Sequence, residues 1–244
     1  MGRPLAGPVP VGGEPVNPEP VEPDPLLVEQ IQERRSALVQ RIEQRTDRTV
    51  RVVCVTKGHP PAVAASAIAA GFTDLGENYA QELRGKAELL SGAVRAGGAS
   101  WHFIGRLQTN KVRLIAPVVS LWQSVDREPL AAAIAQRAPG ASVLVQLDLA
   151  GLDGRGGCRP DDGAELVARC RELGLHVEGL MGVGPPGDPE HARVGFRRLV
   201  ALADELGLAE RSIGMSGDLD VALDEGATML RVGSALVGPR PPRR

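Results

Sequence analysis

A lysine at the end of a β-branched run is the residue of this chain best suited to covalent chemistry. The run covers residues 52–56 (Val-Val-Cys-Val-Thr) and leads into Lys57, one of only three lysines among 28 lysine and arginine residues. Arginine stays protonated, whereas a lysine amine in an apolar pocket can lose its proton and form a Schiff base with an aldehyde. Lys57 is therefore the candidate nucleophile or cofactor anchor. The alternative is a strand-end lysine that merely reaches solvent.

Two glycine- and serine-containing segments near the C-terminus could bind an anion. Each follows a short apolar run and leads into a helix-compatible stretch, where small residues leave backbone N–H groups accessible to a phosphate. The alternative is that both serve only as helix N-caps. The candidate ligands in these segments are Met215, Ser216, Arg231, Gly233 and Ser234.

Short apolar runs alternate with amphipathic segments from Arg51 onward. The predicted strands lie near 51–56, 72–75, 101–104, 119–122, 142–147, 176–181, 211–214 and 229–232. The predicted helices between them cover 62–70, 79–90, 110–116, 127–137, 163–173, 190–206 and 219–225. This alternation predicts an α/β fold, a single (β/α)₈ barrel, and an open doubly wound sheet is the alternative.

The ends of the chain frame this barrel. Residues 1–25 contain eight of the twenty prolines and almost no large apolar side chains, so we expect a disordered tail. From Leu26 the apolar spacing predicts an additional N-terminal helix packed on the body. The expected division is a tail over 1–25 and one cofactor-binding barrel over 26–244.

Composition excludes several classes of protein. The formal charge of −2 is spread along the chain, which argues against nucleic acid as a partner. Three cysteines and four scattered histidines lack the spacing of a metal site and fit a reducing cytoplasm. No segment approaches the roughly 18 apolar residues of a membrane span, so we expect a cytoplasmic protein without a membrane partner.

In a (β/α)₈ barrel the strand ends converge on one site, and phosphate is usually bound after strands seven and eight. An amine that can form an imine, opposite two anion-binding segments, suits a ligand that carries both an aldehyde and a phosphate ester. Pyridoxal 5′-phosphate is the candidate cofactor of this kind. Arg231 would then face the pyridine nitrogen, where a permanent cation opposes protonation of the ring. A sugar-phosphate aldolase is the other reading, although its lysine would normally lie further along the barrel.

Five segments carry a resemblance to a known family: 55–57 (Val-Thr-Lys), 75–82 (Leu-Gly-Glu-Asn-Tyr-Ala-Gln-Glu), 101–111 (Trp-His-Phe-Ile-Gly-Arg-Leu-Gln-Thr-Asn-Lys), 179–181 (Gly-Leu-Met) and 214–219 (Gly-Met-Ser-Gly-Asp-Leu). With them the chain resembles the pyridoxal phosphate homeostasis proteins, which are similar to the N-terminal barrel of alanine racemase. The resemblance implies a carrier or regulator of vitamin B6 supply that holds the cofactor on Lys57 as a Schiff base without strong catalysis. Departures from the family pattern occur at Gly58-His59 and at Arg155-Gly156-Gly157.

The remaining polar residues of these segments receive separate predictions. We expect Glu77 to cap the following helix, Asn78 to contact the cofactor ring and His102 to be a hydrogen-bonded structural residue. Tyr79, the only tyrosine, is expected to pack at the start of its helix.

Two further hypotheses stay open beside the carrier. One is a free-standing amino-acid racemase using Lys57, and the other is an interaction protein for which the cofactor is a sensor ligand. Apo enzymes that use the cofactor are candidate partners, and we expect a monomer.

Overall fold

Eight parallel strands close into a barrel in sequence order, with the last strand paired to the first. The structure, a computed structural model, describes residues 21–152 and 156–241. The strands are β1 (Arg51–Val55), β2 (Asp74–Glu77), β3 (Ser100–Phe103), β4 (Val119–Val125), β5 (Ser142–Leu147), β6 (His176–Gly182), β7 (Glu210–Ser212) and β8 (Met229–Val232). The predicted (β/α)₈ barrel is confirmed, and the open sheet is excluded because β1 and β8 pair from Arg51↔Met229 to Cys54↔Val232.

Helices follow the strands around the outside of the barrel. They are α1 (Pro25–Glu43), α2 (Pro61–Ala69), α3 (Ala80–Leu89), α4 (Ser91–Ala96), α5 (Val112–Ile115), α6 (Glu128–Arg137), α7 (Gly163–Glu172), α8 (Arg193–Glu205), α9 (Leu219–Asp224) and α10 (Ser234–Val237). The side chains between strands and helices form one large apolar cluster. This layer fixes the strand ends, and therefore the loops that carry the polar residues.

The barrel interior contains a small apolar layer beside a polar one. The apolar layer consists of Val53, Leu121, Leu144, Met181 and Met229, with Val183 packed against it. The polar layer is formed by buried side chains that bond to one another, since Gln123 contacts His102, Met229 and Ser212. Because each buried polar group has a partner, the layer can fill the barrel without a large desolvation cost.

The first described residues belong to the folded body, which corrects part of the predicted tail. Helix α1 begins at Pro25, and the Asp24 carboxylate accepts hydrogen bonds from the N–H groups of Leu26 and Leu27. The Asp24 N–H in turn donates to Ser66 Oγ at 2.9 Å. Capping and this tertiary contact therefore order the chain before residue 26. The rest of the predicted tail, residues 1–20, lies outside the described residues.

Several element boundaries also differ from prediction, and one helix was not predicted. Strand β2 covers Asp74–Glu77 rather than 72–75, because Phe72 packs in the core from the preceding turn. Strand β7 covers Glu210–Ser212 and is shorter than expected. The short helix α4 was not predicted, since the glycines around it weaken its helical pattern.

Candidate functional site

All seven predicted cofactor-binding residues line one cavity at the carboxyl ends of the strands. Its volume is about 550 Å³, and we call it the first cavity. The seven residues are Lys57, Asn78, Met215, Ser216, Arg231, Gly233 and Ser234. The strand ends bring these distant segments together, as the barrel topology predicts.

Lys57 follows the last residues of β1 and is half-buried in the wall of the first cavity. Its amine makes no hydrogen bond or ion pair with another described residue. Burial lowers the pKa of Lys57 from its ordinary value, and the positive charges of Arg240 and Arg231 lower it further, against a smaller opposing effect of Glu77. The structure therefore provides what a lysine nucleophile requires, an unpaired amine that loses its proton more readily than a solvated one.

The two predicted anion-binding segments lie side by side after β7 and β8. The backbone N–H groups of Ser216, Gly217 and Ser234 donate to no other described residue, so they remain available to a ligand. Asp218 holds the first segment in place by accepting a hydrogen bond of 2.6 Å from the Met215 N–H. Gly233 approaches β1 closely, because a Cβ there would lie 3.2 Å from the Val55 carbonyl oxygen. Small residues therefore let this segment reach the strand that carries Lys57.

Arg231 is fixed at the base of the first cavity. Its Nη1 donates to the backbone oxygen of Ser212 at 2.6 Å and to Ser212 Oγ at 2.7 Å, and Nη2 donates to the Gly182 oxygen at 2.8 Å. No described residue accepts from its Nε. Burial lowers the pKa of Arg231 to about 10, against the opposing charge of Asp218, which still leaves the guanidinium protonated near neutrality. A rigid cation thus faces the cavity, and its Nε–H and second Nη2–H have no acceptor among the described residues.

Glu77 does not cap a helix, which corrects the prediction. Its side chain is fully buried and lies 2.6 Å from the almost fully buried Lys86 amine. Thr56 Oγ1 donates to the same Glu77 oxygen at 2.7 Å. Burial raises the pKa of Glu77 to about 7, while Lys86 and Thr56 oppose that rise. The carboxylate is thus part of a buried ion pair behind the first cavity.

Lys86 and Glu82 hold the backbone on both sides of Lys57. The Lys86 amine donates to the Thr56 carbonyl oxygen at 2.7 Å and to Glu82 at 2.6 Å. Glu82 accepts a hydrogen bond of 2.7 Å from the N–H of Gly58, which has a φ of +74°. Because only glycine adopts that backbone freely, the turn after Lys57 depends on both Gly58 and this clamp. Sequence reasoning missed the clamp, as a helix-face lysine and glutamate give no sign of burial.

Asn78 lies between two loops at the rim of the cavity. Its Oδ1 is buried and has no hydrogen-bond partner among the described residues, which leaves an acceptor for a ligand. The neighbouring loop packs against its backbone, because a Cβ at Gly105 would lie 2.7 Å from the Asn78 Cα. The predicted ring contact of Asn78 fits this position and stays a prediction.

His102 has the structural role that was predicted, and Tyr79 lies at the start of its helix, where its expected packing stays a prediction. The His102 ring is buried, with Nδ1 2.8 Å from Gln123 Nε2 and Nε2 3.2 Å from Asp74. It does not line the first cavity. Tyr79 occupies the N-cap position of α3 and is 41% exposed.

Arg240 is a cavity residue that sequence reasoning missed. It follows α10 and lines the first cavity, with its side chain packed near Gly58. One arginine among several near the C-terminus gives no local signal of this position. Gln146 and Asp148, at the carboxyl end of β5, also line the cavity, and Gln146 Nε2 donates to the Gly156 oxygen at 2.7 Å. Arg155, one of the departures from the family pattern, lies outside the described residues.

Two searches of residues 21–152 and 156–241 gave negative results. No group of three or more histidine, cysteine, aspartate or glutamate side chains is arranged to bind a metal ion there. None of the helices in these ranges combines the length and apolar character needed to traverse a bilayer.

Sequence and structure comparisons identify relatives over most of the chain. Residues 30–241 match the family described as alanine racemase, N-terminal domain. A protein of Pseudomonas aeruginosa named pyridoxal phosphate homeostasis protein is 38% identical over 201 residues, 79% of this chain and 85% of that protein. One of the same name from Aquifex aeolicus is 37% identical over 226 residues, 85% of this chain and 97% of that protein.

A solved structure shares both fold and sequence with the chain. PipY of Synechococcus elongatus, determined with pyridoxal phosphate bound, has a TM-score of 0.72 and 30% identity, covering 85% of this chain and 100% of that one. The chain belongs to the pyridoxal phosphate homeostasis protein family, which shares the fold of the N-terminal domain of alanine racemase.

Proposed function

We propose that this protein binds pyridoxal 5′-phosphate on Lys57 and acts in intracellular vitamin B6 homeostasis as a carrier without strong catalytic activity. The observation that carries the proposal is the first cavity, where an unpaired, half-buried amine and the free N–H groups of Ser216, Gly217 and Ser234 line the same space. The cofactor bound to PipY and the names of the curated relatives support the same assignment.

The described residues fit this cofactor at each chemical group. Lys57 would hold the aldehyde carbon, and Ser216, Gly233 and Ser234 would hold the phosphate beside Met215. Bound in this way, the cofactor would supply an electron-accepting ring. Arg231 would present its free Nε–H to the pyridine nitrogen, and a permanent cation there keeps that nitrogen unprotonated. This arrangement weakens the ring as an electron sink, which suits a carrier better than a catalyst.

No observation among the described residues favours the racemase hypothesis. Racemisation needs acid/base groups on both faces of the substrate carbon. Tyrosine is one of the side chains that can transfer such a proton. The chain's only tyrosine, Tyr79, lines a neighbouring cavity, whereas Lys57 and Asp148 line the first. We therefore do not propose a racemase activity for this protein.

The proposed carrier would act in the cytoplasm and pass its cofactor to apo enzymes. Three free cysteines, two of them buried, suit a reducing compartment. Handover would be visible as faster recovery of activity when an apo enzyme is mixed with the loaded protein than with an equal concentration of released cofactor. Equal recovery rates would argue against it.

Comparing the phosphorylated and unphosphorylated forms of the cofactor tests the proposed site. We expect Ser234→Ala to weaken binding of pyridoxal 5′-phosphate about tenfold, because one charge-assisted hydrogen bond to the phosphate is lost. Binding of pyridoxal, which lacks the phosphate, should be unchanged. Fluorescence or absorbance titration of both ligands gives the two dissociation constants.

Ser36→Ala is the matched control, because Ser36 donates only to the Gln32 carbonyl oxygen on the exposed face of α1. It should leave both affinities unchanged. Equal weakening of the two ligands by Ser234→Ala would show that Ser234 does not contact the phosphate.

A further inference from the structure

A second cavity opens beside the first at the carboxyl ends of β2, β3 and β4. Its volume is about 610 Å³, and we call it the second cavity. Apart from Asn78, the proposed function uses none of its polar side chains. The polar side chains are Asn78, Gln81, Arg106, Gln108, Lys111 and Arg127.

The two cavities are separate but share one wall residue, Asn78. The wall is rigid because Gly105 packs on the Asn78 backbone. The Gly105 carbonyl oxygen also accepts a hydrogen bond of 2.6 Å from Ser124 Oγ. The Ile104 N–H also donates to the Glu77 carbonyl oxygen at 2.9 Å. A ligand in the second cavity would therefore lie beside the first without entering it.

The charge of the second cavity is only partly balanced. Arg127 is engaged, since it donates to Asp126 at 2.5 Å and to the Leu107 carbonyl oxygen at 2.7 Å. Arg106 and Lys111 form no ion pair with a carboxylate of the described residues. Lys111 is half-buried and Arg106 is exposed. Two unbalanced positive charges therefore face the same space.

The chemistry of this lining fits a dianion with an apolar substituent. A phosphate monoester carries a charge of about −1.5 to −2 near neutral pH and three acceptor oxygens. The planar guanidinium of Arg106 would donate two parallel hydrogen bonds to the phosphate, and the Lys111 ammonium would attract it by its charge. Phe103 and Leu107 form the buried apolar base of the same cavity, and Tyr79, which is 41% exposed, offers the face of its ring to the substituent. We propose that the second cavity is a binding site for a phosphate monoester, distinct from the first cavity.

Isothermal titration calorimetry with phenyl phosphate tests this site. The first cavity is blocked beforehand by loading the protein with pyridoxal phosphate, reducing it with borohydride and removing free cofactor. We expect one phenyl phosphate to bind per chain, with weaker binding of inorganic phosphate because it lacks the apolar substituent. The double variant Arg106→Gln/Lys111→Gln should bind phenyl phosphate at least about tenfold more weakly.

The matched control removes the same charge elsewhere. Arg95 and Arg113 are exposed and lie outside the second cavity, so Arg95→Gln/Arg113→Gln should bind phenyl phosphate within about twofold of the unmodified sequence. Equal weakening by both double variants would show a general effect of net charge and overturn the proposal. Failure of the unmodified protein to bind phenyl phosphate would overturn it as well.

Two further titrations distinguish this proposal from its alternatives. Succinate that binds as tightly as phenyl phosphate would assign the cavity to dicarboxylates and overturn the phosphate assignment. If borohydride fixes no cofactor on the protein, the proposed function fails, and the same titrations on the untreated protein still test the second cavity. In that form, binding that is insensitive to Arg106→Gln/Lys111→Gln would overturn the site.

Discussion

Lys57 lies close to positive charges and forms no ion pair with any residue of the described ranges. Arg231 and Arg240 line the same cavity, and both favour the neutral amine. Neither arginine can compete for an aldehyde, since a guanidinium keeps its proton at ordinary pH. A cavity with one reactive amine among permanent cations therefore attracts an anionic aldehyde and directs it to a single nitrogen.

The exposed position of Arg240 gives a prediction for pH dependence. Removing its charge in Arg240→Gln should raise the pKa of Lys57 toward its ordinary value, because one lowering influence is lost. The neutral fraction of the amine at a given pH then falls. Stopped-flow absorbance should show the rate of cofactor attachment rising at higher pH than in the unmodified protein.

Salt supplies an internal check, as screening weakens the interaction between partly exposed charges. The difference between Arg240→Gln and the unmodified protein should shrink between low and high ionic strength. Identical pH profiles at low salt would show that Arg240 does not act on Lys57. Arg95→Gln, which removes an exposed arginine outside the first cavity, is the control.

At the scale of elements, helix α3 positions the end of strand β1. Lys86 from this helix is 2% exposed and makes all three of its hydrogen bonds to Glu77, Glu82 and the Thr56 carbonyl oxygen. The clamp explains why the sequence-based reading of Glu77 was wrong. A carboxylate near a helix N-terminus is favourable by itself, and only the tertiary structure shows that Lys86, nine residues further along the chain, lies buried against Glu77.

The clamp predicts a large stability cost when one partner is lost. Lys86→Met keeps the length of the side chain but leaves Glu77 buried without its counter-charge, so we expect a loss of about 3 kcal/mol in the free energy of unfolding. Urea denaturation measures it. The double variant Glu77→Gln/Lys86→Met should recover part of the loss, because no buried charge remains unpaired.

A surface ion pair on the same helix is the control. Arg84 and Glu88 are more than half exposed and lie 2.7 Å apart, so Arg84→Ala should cost less than about 1 kcal/mol. A cost for Lys86→Met as small as that of Arg84→Ala would show that the buried pair does not stabilise the fold.

At the scale of the whole molecule, the alternation of strands and helices predicted a closed barrel with an open sheet as the alternative, and only the pairing of β1 with β8 excludes the open sheet. Because β8 lies beside β1 in such a barrel, the residues that follow these two strands, Lys57 and Ser234, were expected in one cavity. Sequence periodicity could not predict the second cavity, because Arg106, Lys111 and Arg127 come from segments whose polar residues resemble ordinary surface. Sequence periodicity also ended β2 two residues too early, at residue 75, because it does not predict that the charged Glu77 is buried by pairing with Lys86.

We propose that the protein is a monomer. The large apolar side chains that are exposed among the described residues, Leu26, Tyr79, Leu89, Leu152 and Val194, are single residues at separate positions of the chain. Scattered apolar residues of this kind are normal for a monomeric surface. We expect light scattering to give the mass of one chain, 25.7 kDa, with and without cofactor. A mass of two chains at micromolar concentration would contradict this expectation.

The attachment point of the cofactor tests the account most directly. The chain has only three lysines, so borohydride reduction of the loaded protein followed by peptide mass spectrometry can assign the label to one of them. We predict that the label lies on the peptide containing Lys57 and that Lys57→Ala removes it, whereas Lys111→Ala does not. A label fixed on Lys86 or Lys111 in the unmodified protein would contradict the assignment of Lys57 as the anchor.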